Sequence, residues 1–228
     1  MKLSVPMTRT EICFGWIYLC LQLFLLPSLL VMVNQYFGQP LTLAALNFAM
    51  FALNFLVATL LFHRYLLESA RLSLAEPLRC LRAAFLGLLL YYLGNMVVSR
   101  LIFAIDPDFA NVNDANISAM TQQQSTLMVI GTVLLVPPVE EVFYRGLIFR
   151  GLYNKSRIAA YLVSTLVFSA VHILGYIGLS NWPTLALCFL QYVPASIALA
   201  WAYERADSIW APILMHMTVN QIGILAMR

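Results

Sequence analysis

The sequence predicts an all-α, polytopic transmembrane helical bundle of about seven spans, and three observations carry that prediction. Of 228 residues, 62% are hydrophobic and only 10% charged, against roughly 25% charged in an ordinary soluble domain. Apolar stretches of about 20 residues, the length a helix needs to cross a bilayer, recur along the chain. They run without period-two alternation, which selects helices over a closed barrel as the way to satisfy backbone hydrogen bonds in lipid. A formal net charge of +3, scattered between apolar runs, excludes a nucleic-acid partner.

The first run, roughly residues 11 to 33, starts near Glu11 and lacks a small-residue cleavage site followed by a polar domain. It is therefore expected to stay as a span rather than be removed as a signal. A second run covers 41 to 62. From His63 to Arg82, leucines 66, 67, 72, 74 and 78 alternate with Arg64, Arg71, Arg79 and Arg82, the composition of an amphipathic helix lying along the interface. The same residues would also suit a helical extension of the second span, and His63 reads as a solvated boundary residue. Further runs at 83 to 104, 125 to 149, 158 to 179, 183 to 203 and 208 to 227 complete the count, which stands at seven or eight. The polar connection from Asp106 to Ser125 reads as a mobile loop.

These pieces form one integrated membrane domain. Residues 1–124 supply the N-terminal helices and the interfacial segment, and 125–228 supply the core that carries the chemistry. Lys2, Arg9, the four arginines of the 63–82 segment, Arg150, Lys155 and Arg157 fall on one side, with Asp106, Asp108 and Asp114 on the other. Excess Lys and Arg marks the cytoplasmic side. The expected setting is multi-pass, in a bacterial plasma membrane, with the N-terminus cytoplasmic. Cys13, Cys20, Cys80 and Cys188 form no CxxC pair and read as small apolar side chains.

Ionisable groups inside a bilayer cost about 2.5–3.5 kcal/mol each on insertion scales, so each needs a reason. They cluster as Glu140, Glu141 and Arg145 in the fourth run, His172 in the fifth, and His216 with Asn220 in the seventh. At 1.5 Å per residue, Glu140, His172 and His216 lie about 15, 22 and 14 Å from the arginine-rich ends of their runs, deep enough to line one cavity open to that side. Helical phase pairs Glu141 with Arg145 at i,i+4 and leaves Glu140 on another face, free for chemistry. Pro137 and Pro138 remove two amide donors, so a break is expected there, with both glutamates in the first turn of a new segment.

Pro138-Val-Glu140-Glu141-Val-Phe-Tyr-Arg145-Gly146 resembles the EExxxR motif of the CAAX-protease and bacteriocin-processing (CPBP) family, which includes the type II CAAX prenyl endopeptidases. Phe168-Ser-Ala-Val-His172 resembles its FxxxH motif, and His216-Met-Thr-Val-Asn220 its HxxxN motif, in the same order. The resemblance covers roughly the C-terminal hundred residues and implies an intramembrane endopeptidase. In that reading Glu140 is the general base, His172 holds the attacking water, His216 and Asn220 donate to the oxyanion, and Glu141 with Arg145 support the helix. A water nucleophile fits the residues, because no serine or cysteine stands in a nucleophile setting beside the cluster.

Two-His, one-carboxylate ligation of a divalent metal such as zinc by Glu140, His172 and His216 is the alternative, and the metal-independent form is favoured. Expected partners are a peptide or membrane-protein substrate, with or without a lipid, and the bilayer itself. A transporter pathway or a non-catalytic immunity factor would use the same buried polar groups differently.

Overall fold

The computed structural model describes residues 3–226, so Lys2 and the end of the seventh run at residue 227 lie outside the described residues. Ten helices and no strand occur among them: α1 Arg9–Phe24, α2 Leu26–Tyr36, α3 Leu43–Leu61, α4 His63–Ala75, α5 Pro77–Ile105, α6 Val112–Gln123, α7 Ser125–Tyr153, α8 Arg157–Leu174, α9 Trp182–Ala206 and α10 Trp210–Ala226. The chain is an all-α, polytopic helical bundle, as its hydropathy predicted.

Among the described residues, five to six spans pass on length and apolar composition, beside the about seven expected. Five helices (α3, α5, α7, α8 and α9) are long and apolar enough to cross a bilayer, or six spans if α1 and α2 count as one. The first run is bent by 50° between α1 and α2. Pro27 sits in the first turn of α2, where its ring removes an amide donor and disfavours helical geometry in the residue before it. The seventh run appears as α10, whose 17 described residues span about 26 Å, short of the roughly 30 Å hydrocarbon core.

The amphipathic segment is also divided. α4 ends at Ala75, and Pro77 opens the 29-residue α5, so Arg79 and Arg82 belong to a spanning helix. The Asp106–Ser125 connection, expected as a loop, contains α6. Asn111 caps that helix by accepting from the amides of Asn113 and Asp114 at 2.9 and 3.3 Å, a bond Asn forms readily in extended backbone.

Helix α7 runs unbroken through Pro137 and Pro138, contrary to the expected break. The turns before them widen to π-helical geometry over Ile130–Leu135, with the Val136 amide reaching back five residues to the Gly131 carbonyl. In that register the next amides would belong to Pro137 and Pro138, which have none to give. The stranded Thr132 carbonyl is met instead by Asn220 Nδ2 of α10, at 2.8 Å. A second π-helical stretch covers Val142–Phe149. Glu140 and Glu141 thus lie mid-helix rather than in the first turn of a new one.

The core gathers around α5, α7, α8 and α9. A Cβ at Gly87 of α5 would come within 2.8 Å of Met215 Sδ and 3.1 Å of Ala202 Cβ. Only the missing side chain lets α5 lie this close to α9 and α10, the small-residue packing that serves where lipid supplies no hydrophobic drive. At the arginine-rich end, Leu3, Val5 and Met7 are buried in the same core. Ser4 holds this strap in place: its amide donates to Asp207 Oδ1 at 2.8 Å and its hydroxyl to Oδ2. Nearby, Glu204 accepts from Tyr153 at 2.6 Å, Tyr161 at 2.5 Å and Arg157 at 2.9 Å, tying α7, α8 and α9 together.

Candidate active site

Side chains from α7, α8 and α10 meet at the inner end of a cavity of about 600 Å³. Glu140 Oε2 is buried and has no hydrogen-bond partner among the described residues. Nε2 of His172 lies 4.0 Å from it and Nε2 of His216 lies 3.9 Å from it. Three groups from three helices therefore point at one small volume.

Each imidazole is oriented from its far side. His172 Nδ1 is 2.7 Å from the Phe168 carbonyl one turn earlier, so Nδ1–H donates to it and Nε2 faces Glu140. The His172 ring packs between Phe168 (centroids 4.5 Å) and Tyr192 of α9 (4.2 Å). His216 Nδ1 lies 2.7 Å from Glu141 Oε1, which fixes the ring with Nε2 toward Glu140.

Glu141 and Arg145 are both fully buried and pair at 3.3 Å. Arg145 Nη2 donates to the carbonyl and hydroxyl of Ser196, each at 3.2 Å, and its guanidinium lies 4.4 Å over the Phe168 ring. A buried ion pair is more tolerable as its other donors are met; Ser196 and the Phe168 face do this for part of Arg145, whose Nε has no hydrogen-bond partner among the described residues. The motif thus divides its two carboxylates. Glu141 Oε1 is shared by Arg145 and His216, with its Oε2 buried and without a partner among the described residues, while Glu140 is the one of the two that lines the cavity.

The structure brings Glu140, His172, His216 and Asn220 to the cavity wall. Asn220 is partly committed, since one of its two amide hydrogens goes to Thr132. Sequence reading missed Ser196, Tyr192 and Thr132. The first two sit in an apolar run without a charged neighbour, and the demand on Asn220 follows from the π-helical turn. Among the described residues, no group of three His, Cys, Asp or Glu side chains is arranged to hold a metal ion. The 3.9–4.0 Å separations at Glu140 exceed the roughly 3.4 Å between ligands that share a tetrahedral zinc at about 2.0–2.2 Å.

The cavity does not extend as the sequence suggested. Its wall continues from Glu140 through Tyr192 and Gln191 to Asn111, Asn113 and Asp114 of the α6 region, with Gly175 and Tyr176 beyond α8. That is the end opposite the arginine-rich connections. There the N-terminal strap lies over α7, with Met7 Cε 2.7 Å from where a Gly146 Cβ would stand and Arg150 bonded to the Leu3 carbonyl at 3.4 Å. At the α6 end, burial pushes the Asp114 carboxyl up, against the opposing pull of the Tyr192 hydroxyl bond and His172.

Comparison with known proteins follows these helices. Residues 122–222 match the family described as Type II CAAX prenyl endopeptidase Rce1-like. This part of the chain is similar to that family. The Rce1-like segment begins at the end of α6 and includes every residue of the Glu140 cluster. Over 104 residues the chain is 30% identical to the protein named "Putative membrane peptidase YdiL" of Bacillus subtilis (strain 168), covering 45% of this chain and 38% of that one. Over 95 residues it is 28% identical to "UPF0177 protein YxdF" of Lactococcus lactis subsp. lactis (strain IL1403), covering 42% and 47%. The chain thus covers less than half the length of either relative. No solved structure matches. With the Rce1-like segment and five to six apolar spans, the chain is an integral membrane protein.

Proposed function

We propose that this protein is an intramembrane endopeptidase that hydrolyses a peptide bond with water activated by Glu140 and His172. The observation that carries the reading is the convergence of His172 Nε2 and His216 Nε2 on the unpartnered Glu140 Oε2, at 4.0 and 3.9 Å. Those gaps are too long for direct hydrogen bonds. One water at about 2.8 Å from each group spans them.

Glu140 takes a proton from that water as its oxygen attacks the scissile carbonyl carbon, and the His172 lone pair holds the second hydrogen. Charge moves to the carbonyl oxygen, where His216 Nε2–H and the second amide hydrogen of Asn220 donate. Glu140 then passes its proton to the leaving nitrogen as the C–N bond breaks, which restores the carboxylate. The cavity admits substrate from the α6 end, and a segment of a membrane protein or an apolar peptide, with or without a lipid, suits its walls.

Cleavage by purified protein in lipid tests the reading. His172→Ala should lower the rate by about 100-fold or more, and a chelator should leave the wild-type rate unchanged. Loss of activity on chelation, restored by zinc, would replace this mechanism with the metal-dependent form. Full activity in His172→Ala would remove His172 from it.

A further inference from the structure

We propose that Asp114 selects the substrate, by receiving the ammonium or guanidinium of a lysine or arginine within about three residues of the scissile bond. The inference rests on reading the Glu140 cluster as a peptidase centre, and it adds a specificity that the centre itself does not set.

The cavity carries carboxylates without a permanently charged cation beside them. Its described lining includes two carboxylates, Glu140 and Asp114, and the imidazoles of His172 and His216, but no lysine or arginine. Asp114 forms no ion pair with a described residue, and its polar side-chain contact is the Tyr192 hydroxyl at 3.3 Å from Oδ1. The neighbours that could have neutralised it are amides and phenols. Asn113 Nδ2 donates to the Tyr192 hydroxyl at 3.0 Å, the Tyr176 hydroxyl donates to Asn113 Oδ1 at 3.2 Å, and Asn111 bonds Gln191 at 2.9 Å. A half-buried carboxylate that burial already disfavours gains most when a cation arrives, because charge-assisted bonds strengthen as water is excluded.

Distance makes the site useful to the reaction. Tyr192 stacks on the His172 ring at 4.2 Å while its hydroxyl contacts Asp114, so one tyrosine's length separates the specificity group from the chemistry. An extended peptide advances about 3.3 Å per residue. A chain with its scissile carbonyl at Glu140 therefore places a side chain two or three residues away at Asp114. The amide-rich wall between them offers donors and acceptors to the peptide backbone, and the apolar lining suits the flanking residues.

The test separates binding from cleavage. Two N-acetylated apolar peptides, identical except for one lysine or acetyl-lysine, are titrated against full-length protein in lipid, using Glu140→Gln so that neither is consumed. The lysine peptide should bind about tenfold more tightly or better. Asp114→Asn should erase the difference, while Asp108→Asn, on the exposed connection before α6, should keep it. Equal affinities, or a preference that survives Asp114→Asn, would overturn the assignment.

Cleavage of the same peptides by protein with Glu140 intact is read separately. Discrimination in binding without any cleavage would leave Asp114 as a cation site and remove the peptidase reading. Cleavage with no preference for lysine would keep the peptidase and remove the Asp114 role.

Discussion

Arg145 is completely enclosed; Glu141, Ser196 and Phe168 meet its guanidinium except at Nε, which has no hydrogen-bond partner among the described residues. Removing one partner of such a pair leaves the other charge buried alone, which costs about 3–5 kcal/mol. Arg145→Met is therefore expected to lower the unfolding midpoint in detergent sharply, and Glu141→Gln with Arg145→Met together should be milder than Arg145→Met alone. Equal loss in the single and double variants would mean that the charge pairing does not matter. The Glu141–Arg145 contact was legible from i,i+4 spacing. The bond from Glu141 to His216 was not, because it depends on α10 packing beside α7. Tyr192 belongs to the same scale. Tyr192→Phe keeps the ring stacked on His172 and loses the hydroxyl that touches Asp114, so it should alter preference for a lysine peptide more than turnover. Tyr192→Ala should lower turnover of every substrate.

At the scale of the helix, two prolines shape the motif. Periodicity located α7 and its charged turn correctly, but it assumed α-helical geometry and expected a break. The chain instead widens the turns before Pro137, and the Thr132 carbonyl this frees is claimed from another helix by Asn220. Asn220→Leu should strand that carbonyl and destabilise the protein by about 1–3 kcal/mol, seen as a lower unfolding midpoint even in the Glu140→Gln background. An unchanged midpoint would show that the carbonyl finds another donor. The bend between α1 and α2 has a signal in the sequence, Pro27. α6 had one too, in the capping Asn111, but its polar composition hid a helix that hydropathy does not detect.

For the whole molecule, hydropathy set the all-α class and most spans, while the direction of the cavity was beyond it. The mouth depends on which end of the bundle is covered, and Leu3, Val5 and Met7 cover the arginine-rich end through contacts far apart in sequence. With α6 at one end and Arg79 at the other, single cysteines replacing Asn116 and Arg79 should react with a membrane-impermeant thiol reagent from opposite sides of sealed vesicles. Labelling of both from one side would contradict the bundle's arrangement. The most direct measurement of the central claim exposes wild type and Glu140→Gln, each purified and returned to lipid, to the same complex peptide mixture, with new termini counted by mass spectrometry. Wild type should generate termini that Glu140→Gln makes at least about 100-fold more slowly. The same termini appearing at the same rate from both proteins would contradict the account.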